Sequence, residues 1–110
     1  MMKEQKREAI CHAALRHFGA QNQALKTMEE CGELIQALAR KAALGLETHS
    51  PGPEVLEELA DVAIMVYQMG LLYPDGALEG EIDQKICRLS MRIGIEMARD
   101  DAEKTELERG

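Results

Sequence analysis

The stretch PEVLEELADVAIMVYQMGLL, residues 53–72, decides the fold. Turned by about 100° per residue, its Glu54, Glu57, Glu58, Asp61 and Gln68 fall on one narrow stripe. Nearly everything else is apolar, including Val55, Leu56, Leu59, Val62, Ala63, Ile64, Val66 and Met69. A helix with apolar residues around most of its girth is buried on most sides. Its polar stripe is therefore expected to point into a cleft or a crowded interface. Several carboxylates there are costly to ionise without compensating charge.

Working outward, the punctuation is that of helices. A first helix is expected from about Lys3 to Phe18, ending at Gly19, and a second from about Gln21 to Leu44, stopped by Gly45. Residues 45–53 are rich in turn formers, and Pro53 suits the first turn of the third helix, which runs to about Leu72. Tyr73-Pro74-Asp75-Gly76 is a turn, and a fourth helix follows to about Arg99 with Ile82, Ile86, Leu89 and Ile93 as its apolar stripe. No strand pattern and no repeat of solenoid length is present. The expected fold is all-α, a bundle of about four helices in one domain over residues 1–99, with a charged tail over 100–110.

Composition narrows the function. A chain of 110 residues with 45% hydrophobic content is large enough for one core. The net charge of -7 argues against nonspecific nucleic-acid binding, which needs Lys and Arg to neutralise phosphates. A nucleotide ligand stays open, because a metal ion can mask local negative charge. The longest apolar stretch, Val62 to Leu72, is too short to span a bilayer. Cys11, Cys31 and Cys87 form no CxxC pair, and their odd number beside an N-terminus without a signal-type apolar core points to a reducing cytoplasm. As free thiols they are expected to act as small apolar residues.

A second acidic cluster, Glu29-Glu30-x-x-Glu33, stands on the second helix. Lys26, Glu29, Glu30, Glu33, Ala37 and Arg40 share an arc of about 100°, while Ala24, Met28, Cys31, Ile35, Leu38 and Ala42 lie opposite. Alone, that helix reads equally well as an ordinary amphipathic surface helix with a solvated acidic face. Beside the third helix it offers a second set of carboxylates from one patch, as a magnesium–triphosphate site requires. No histidine stands three residues after an acid, so a di-iron bundle is disfavoured. His12, His17 and His49 are assigned surface or packing roles. An all-oxygen donor set favours Mg²⁺, with Mn²⁺ as a substitute, over zinc or iron. Lys85, Arg88 and Arg92 on the fourth helix and Lys26 on the second could supply cationic help.

The pattern Glu29-Glu30-Cys31-Gly32-Glu33, a spacer, then Glu58-Leu59-Ala60-Asp61 resembles the MazG-like family of all-α nucleoside triphosphate pyrophosphohydrolases. Gln23-x-x-Lys26 before the first cluster, Glu57 and Val62 flanking the second, and Asp83-Gln84-Lys85 followed by Arg88 extend the likeness over about Phe18 to Arg92. The resemblance implies hydrolysis between the α- and β-phosphates to a nucleoside monophosphate and pyrophosphate. It implies Glu30, Glu33, Glu58 and Asp61 as Mg²⁺ ligands, Glu29 as a group that orients water, and Glu57 in support. Lys85, Asp83 and Arg88 would face the phosphates or the metal's surroundings. Phe18, Asn22 and Gln23 are the candidates to approach a base.

The apolar girth of the third helix also calls for burial beyond one small bundle, so a homo-oligomer is expected. The resemblance points to a homodimer or homotetramer. The alternative function is a noncatalytic helical protein that senses nucleotides or binds a partner as a dimer.

Overall fold

The computed structural model describes residues 1–47 and 50–94, and every regular element among them is a helix. The elements are α1 (Glu4–Phe18), α2 (Ala20–Ala42), α3 (Gly52–Gly70) and α4 (Ala77–Arg92). His49 and the expected charged tail lie outside the described residues. No described helix is long and apolar enough to cross a membrane.

Residues 1–73 form one compact unit and the chain from Pro74 another. In the first unit, Glu4 opens α1 and Arg16 and His17 close it, matching the helix dipole at both ends. Gly19 at φ 90° ends α1 and opens α2 without a break. A residue with a Cβ resists that conformation. Pro53 lies in the first turn of α3, where its missing N–H costs nothing.

The main packing is α2 on α3, with α1 against both. The buried apolar residues among those described are Ala37, Val55 and Met65. That is a very small core. The outer faces carry Met28 and Ile35 of α2 at 69% and 67% exposure, and Leu56 of α3 at 67%.

This settles the orientation of α2. Its buried residues are Gln23, Glu30 and Ala37, flanked by half-buried Ala24, Cys31, Leu34 and Leu38, while Lys26, Glu29, Glu33 and Arg40 of the acidic arc are exposed. The acidic arc is thus largely solvated, with Glu30 as its buried carboxylate. α2 buries the border between its polar and apolar sides.

In the second unit, α4 starts after Gly76 in a left-handed turn and carries Ile82, Ile86 and Leu89 exposed. It ends at Arg92, and residues 95–99 of the expected helix lie outside the described residues. Gly94 at φ 82° follows, and the N–H groups of Ile93 and Gly94 close the last turn on Leu89 and Met91 carbonyls. This is the glycine stop that ends many helices.

Two glycine substitutions separate these effects. Gly19→Ala places a Cβ at positive φ and should lower stability by about 1 kcal/mol or more. Gly80→Ala sits inside α4 with nothing within 4 Å of the added carbon, and should raise stability by roughly 0.5–1 kcal/mol. Urea unfolding of the two variants beside the parent checks both signs.

Candidate metal centre

The polar seam between α2 and α3 gathers three carboxylates. One oxygen from each of Glu30, Glu33 and Glu58 lies within 4.8 Å of the others. Glu30 and Glu33 come from one face of α2 through their i, i+3 spacing, and Glu58 comes from the stripe of α3. Glu30 is 6% exposed, Glu58 is half-buried and Glu33 is open to solvent.

Lys26 partly balances this charge. Its ammonium lies 3.0 Å from Glu30 Oε1 and 3.8 Å from Glu29 Oε2. The hydrogen bond to Glu30, then the charges of Glu29 and Glu30, raise the Lys26 pKa above its ordinary value. Lys26 satisfies one Glu30 oxygen and leaves the other. Glu30 Oε2 and Glu58 Oε2 are both buried without a hydrogen-bond partner. Buried carboxylate oxygens in that condition ordinarily cost about 1–3 kcal/mol or more.

Glu33 registers the crowding. Its carboxyl pKa is raised first by the charge of Glu30, then by desolvation and by the charges of Glu58 and Glu29. A proton or a cation relieves the same repulsion. Oxygen donors, unpartnered buried oxygens and excess negative charge together fit a hard divalent cation, Mg²⁺ or Mn²⁺.

The other expected site residues are placed as follows. Asp61 is exposed one turn beyond Glu58 and stands outside the three-carboxylate group. Glu29 and Glu57 are exposed on α2 and α3. Asp83, Lys85 and Arg88 are exposed on α4, in the second unit.

Of the candidates for a base, Phe18 is exposed with its ring edge-on to His17 at 4.7 Å. Asn22 Nδ2 donates to the Phe18 carbonyl at 2.8 Å, fastening the α1–α2 junction. Gln23 is turned inward instead of outward to a base, and its Nε2 donates to Gln68 Oε1 at 2.8 Å in a buried contact. That pairing has a faint sequence signal, since Gln68 rides the acidic stripe and Gln23 precedes Lys26 by three. Neither residue alone names the other as partner. His12 reaches Glu8 at 3.7 Å, away from the carboxylates.

A separate groove of about 780 Å³ lies between α1 and α3, lined by Ile10, Cys11, Ala60, Ala63, Ile64 and Tyr67 among others. Burial pushes the Cys11 thiol pKa up, which makes it less reactive. Comparison with protein-family models, with curated proteins and with solved structures finds no match to this chain.

The raised Glu33 pKa predicts a pH dependence for the chelator-treated protein. The folded state holds this proton more tightly than the unfolded chain, so the Glu33 contribution is unfavourable at neutral pH. The penalty fades as pH falls through the folded pKa and is gone below the unfolded value near 4.5. Glu33→Gln should therefore melt above the parent at pH 7, with the gap closing on acidification. Scanning calorimetry at several pH values checks this, and a variant less stable than the parent at pH 7 contradicts it.

Proposed function

We propose that this protein is a Mg²⁺-dependent hydrolase that cleaves nucleoside triphosphates between the α- and β-phosphates, releasing a nucleoside monophosphate and pyrophosphate. The observation that carries the reading is the convergence of Glu30, Glu33 and Glu58 with two buried oxygens left unpartnered. The reaction class rests on the resemblance of the acidic pattern to MazG-like pyrophosphohydrolases.

In this reading Glu30, Glu33 and Glu58 would hold the metal, with Asp61 a further ligand on the resemblance alone. Bound Mg²⁺ supplies Lewis-acid polarisation of phosphoryl oxygens and offsets the charge of the leaving pyrophosphate. Lys26 would hold the Glu30 carboxylate in place through its 3.0 Å contact. Glu29, exposed beside Lys26, orients the attacking water. Lys85, Asp83 and Arg88 are assigned to the triphosphate on the sequence pattern alone. Charge supports that assignment for the two cations, since phosphates pair strongly with Lys and Arg.

The working form in this proposal is a homodimer or homotetramer in the cytoplasm. The support is the exposed apolar surface of the first unit. Met28, Ile35, Leu56, Leu59 and Val66 are exposed around a core of three buried apolar residues, an arrangement that favours burial against further protein.

The decisive measurement is pyrophosphate release across a panel of ribo- and deoxynucleoside triphosphates, with Mg²⁺, with Mn²⁺ and with chelator. Turnover should need the metal. Glu33→Gln, Glu58→Gln and Asp61→Asn should each lower kcat/KM on the order of 100-fold or more while circular dichroism stays helical. A folded protein that binds nucleotide without turnover would favour the noncatalytic sensor instead.

Light scattering should give a mass that is a multiple of 12.2 kDa. Met28→Glu combined with Ile35→Glu should reduce it toward one chain. A monomeric parent at micromolar concentration contradicts the assembly.

A further inference from the structure

Glu30, Glu33 and Glu58 converge only while α2 and α3 keep one lengthwise register. The apolar seam does little to specify it. Ala37, Val55 and Met65 are its buried members, and contacts among such groups are non-directional, the methionine being adaptable as well. Sliding one helix by a single turn moves it about 5.4 Å, more than the 4.8 Å that encloses the three carboxylate oxygens.

A directional contact stands further along the same seam. Gln23 and Gln68 are 8% and 5% exposed, and their amides meet at 2.8 Å. Gln23 precedes Glu33 by ten residues, and Gln68 follows Glu58 by ten. The contacts Gln23–Gln68 and Glu33–Glu58 run in opposite senses along the two helices, so the pair is antiparallel. At about 1.5 Å rise per residue, a level pair of glutamines sets Glu33 level with Glu58, roughly 15 Å away. The same count sets Glu30 level with Asp61, each seven residues from its glutamine. A shift of one turn breaks this hydrogen bond.

We propose that the Gln23–Gln68 pair is the register lock of the carboxylate centre, two positioning residues that never touch the cation yet decide whether its ligands meet. The metal arm of this inference rests on reading that centre as a divalent-cation site. The use of a buried polar contact to fix helix register has precedent in coiled coils.

The test replaces the pair with apolar side chains of similar length, as Gln23→Met/Gln68→Met, in the full chain. Removing both partners together leaves no amide orphaned, so the fold is retained. The urea midpoint should be equal to or above that of the parent. Mn²⁺ affinity, followed by the electron spin resonance of free Mn²⁺, should fall by about 10-fold or more.

Register is read separately. Nitroxide labels are placed at Ala39→Cys on α2 and Glu54→Cys on α3, with the native cysteines replaced and labelled chains diluted into unlabelled protein. The parent should give one narrow distance, and the double variant a broadened distribution or a second population. An unshifted distribution overturns the lock whatever the Mn²⁺ result. A parent that binds no Mn²⁺ overturns the cation reading instead, and the label distances still decide the lock.

Discussion

Repulsion among carboxylates pressed into a helix seam is the constraint on which the rest of the first unit depends. Two helices that pack by their apolar faces gain stability from burial. Here α2 turns Glu30 inward, 6% exposed, where it stands beside Glu33 and Glu58. Lys26 offsets part of that charge from the edge of the seam. The remaining repulsion, first from Glu30, raises the Glu33 pKa, and a cation or a proton would relieve it.

The outward apolar faces are the other half of the same fact. Met28, Ile35, Leu56 and Leu59 remain exposed in the first unit. Under the proposed assembly, covering them with a second copy would supply the burial that three core residues cannot. It would also thin the solvent around the carboxylates. Electrostatic interactions strengthen as water is excluded, so one act of association would stabilise the fold and sharpen the demand for a cation.

Much of this was legible in the chain, and the exceptions have physical causes. Gly19, Gly45, Pro53 and Gly76 mark the helix limits because each imposes a backbone constraint that context seldom overrides. Gly94 marks the end of α4 by the same logic, but the apolar stripe through Ile93 masks it. The pairing of Glu30 with Glu33 follows from spacing, since i, i+3 positions share a face on any helix, while Glu58 reaches them only through the packing of α3 on α2. The facing of α2 does not follow. Periodicity separates its two sides without saying where the neighbour sits, and the buried face runs along their border, taking Gln23, Glu30 and Ala37 inward. Asp61 shares the stripe of Glu58, yet one further turn carries it to solvent. A stripe fixes direction around the axis and leaves position along it free.

Position along the axis is the harder quantity, and it explains how an acidic seam can coexist with a defined structure. Hydrophobic contacts and Coulomb repulsion are both insensitive to small lengthwise shifts. Repulsion in fact favours any slip that spreads the carboxylates. A restoring contact must therefore be directional, short in range and shielded from competition by water. The Gln23–Gln68 hydrogen bond has all three properties, at 2.8 Å and in a buried setting. It is neutral, so it neither adds to the charge of the centre nor competes for the cation as a further carboxylate or lysine would. The equal ten-residue intervals to Glu33 and Glu58 let a contact about three helical turns away hold those two groups level. Neutral hydrogen bonding at one end of the seam and charge at the other thus divide two tasks that a single set of side chains could not perform together.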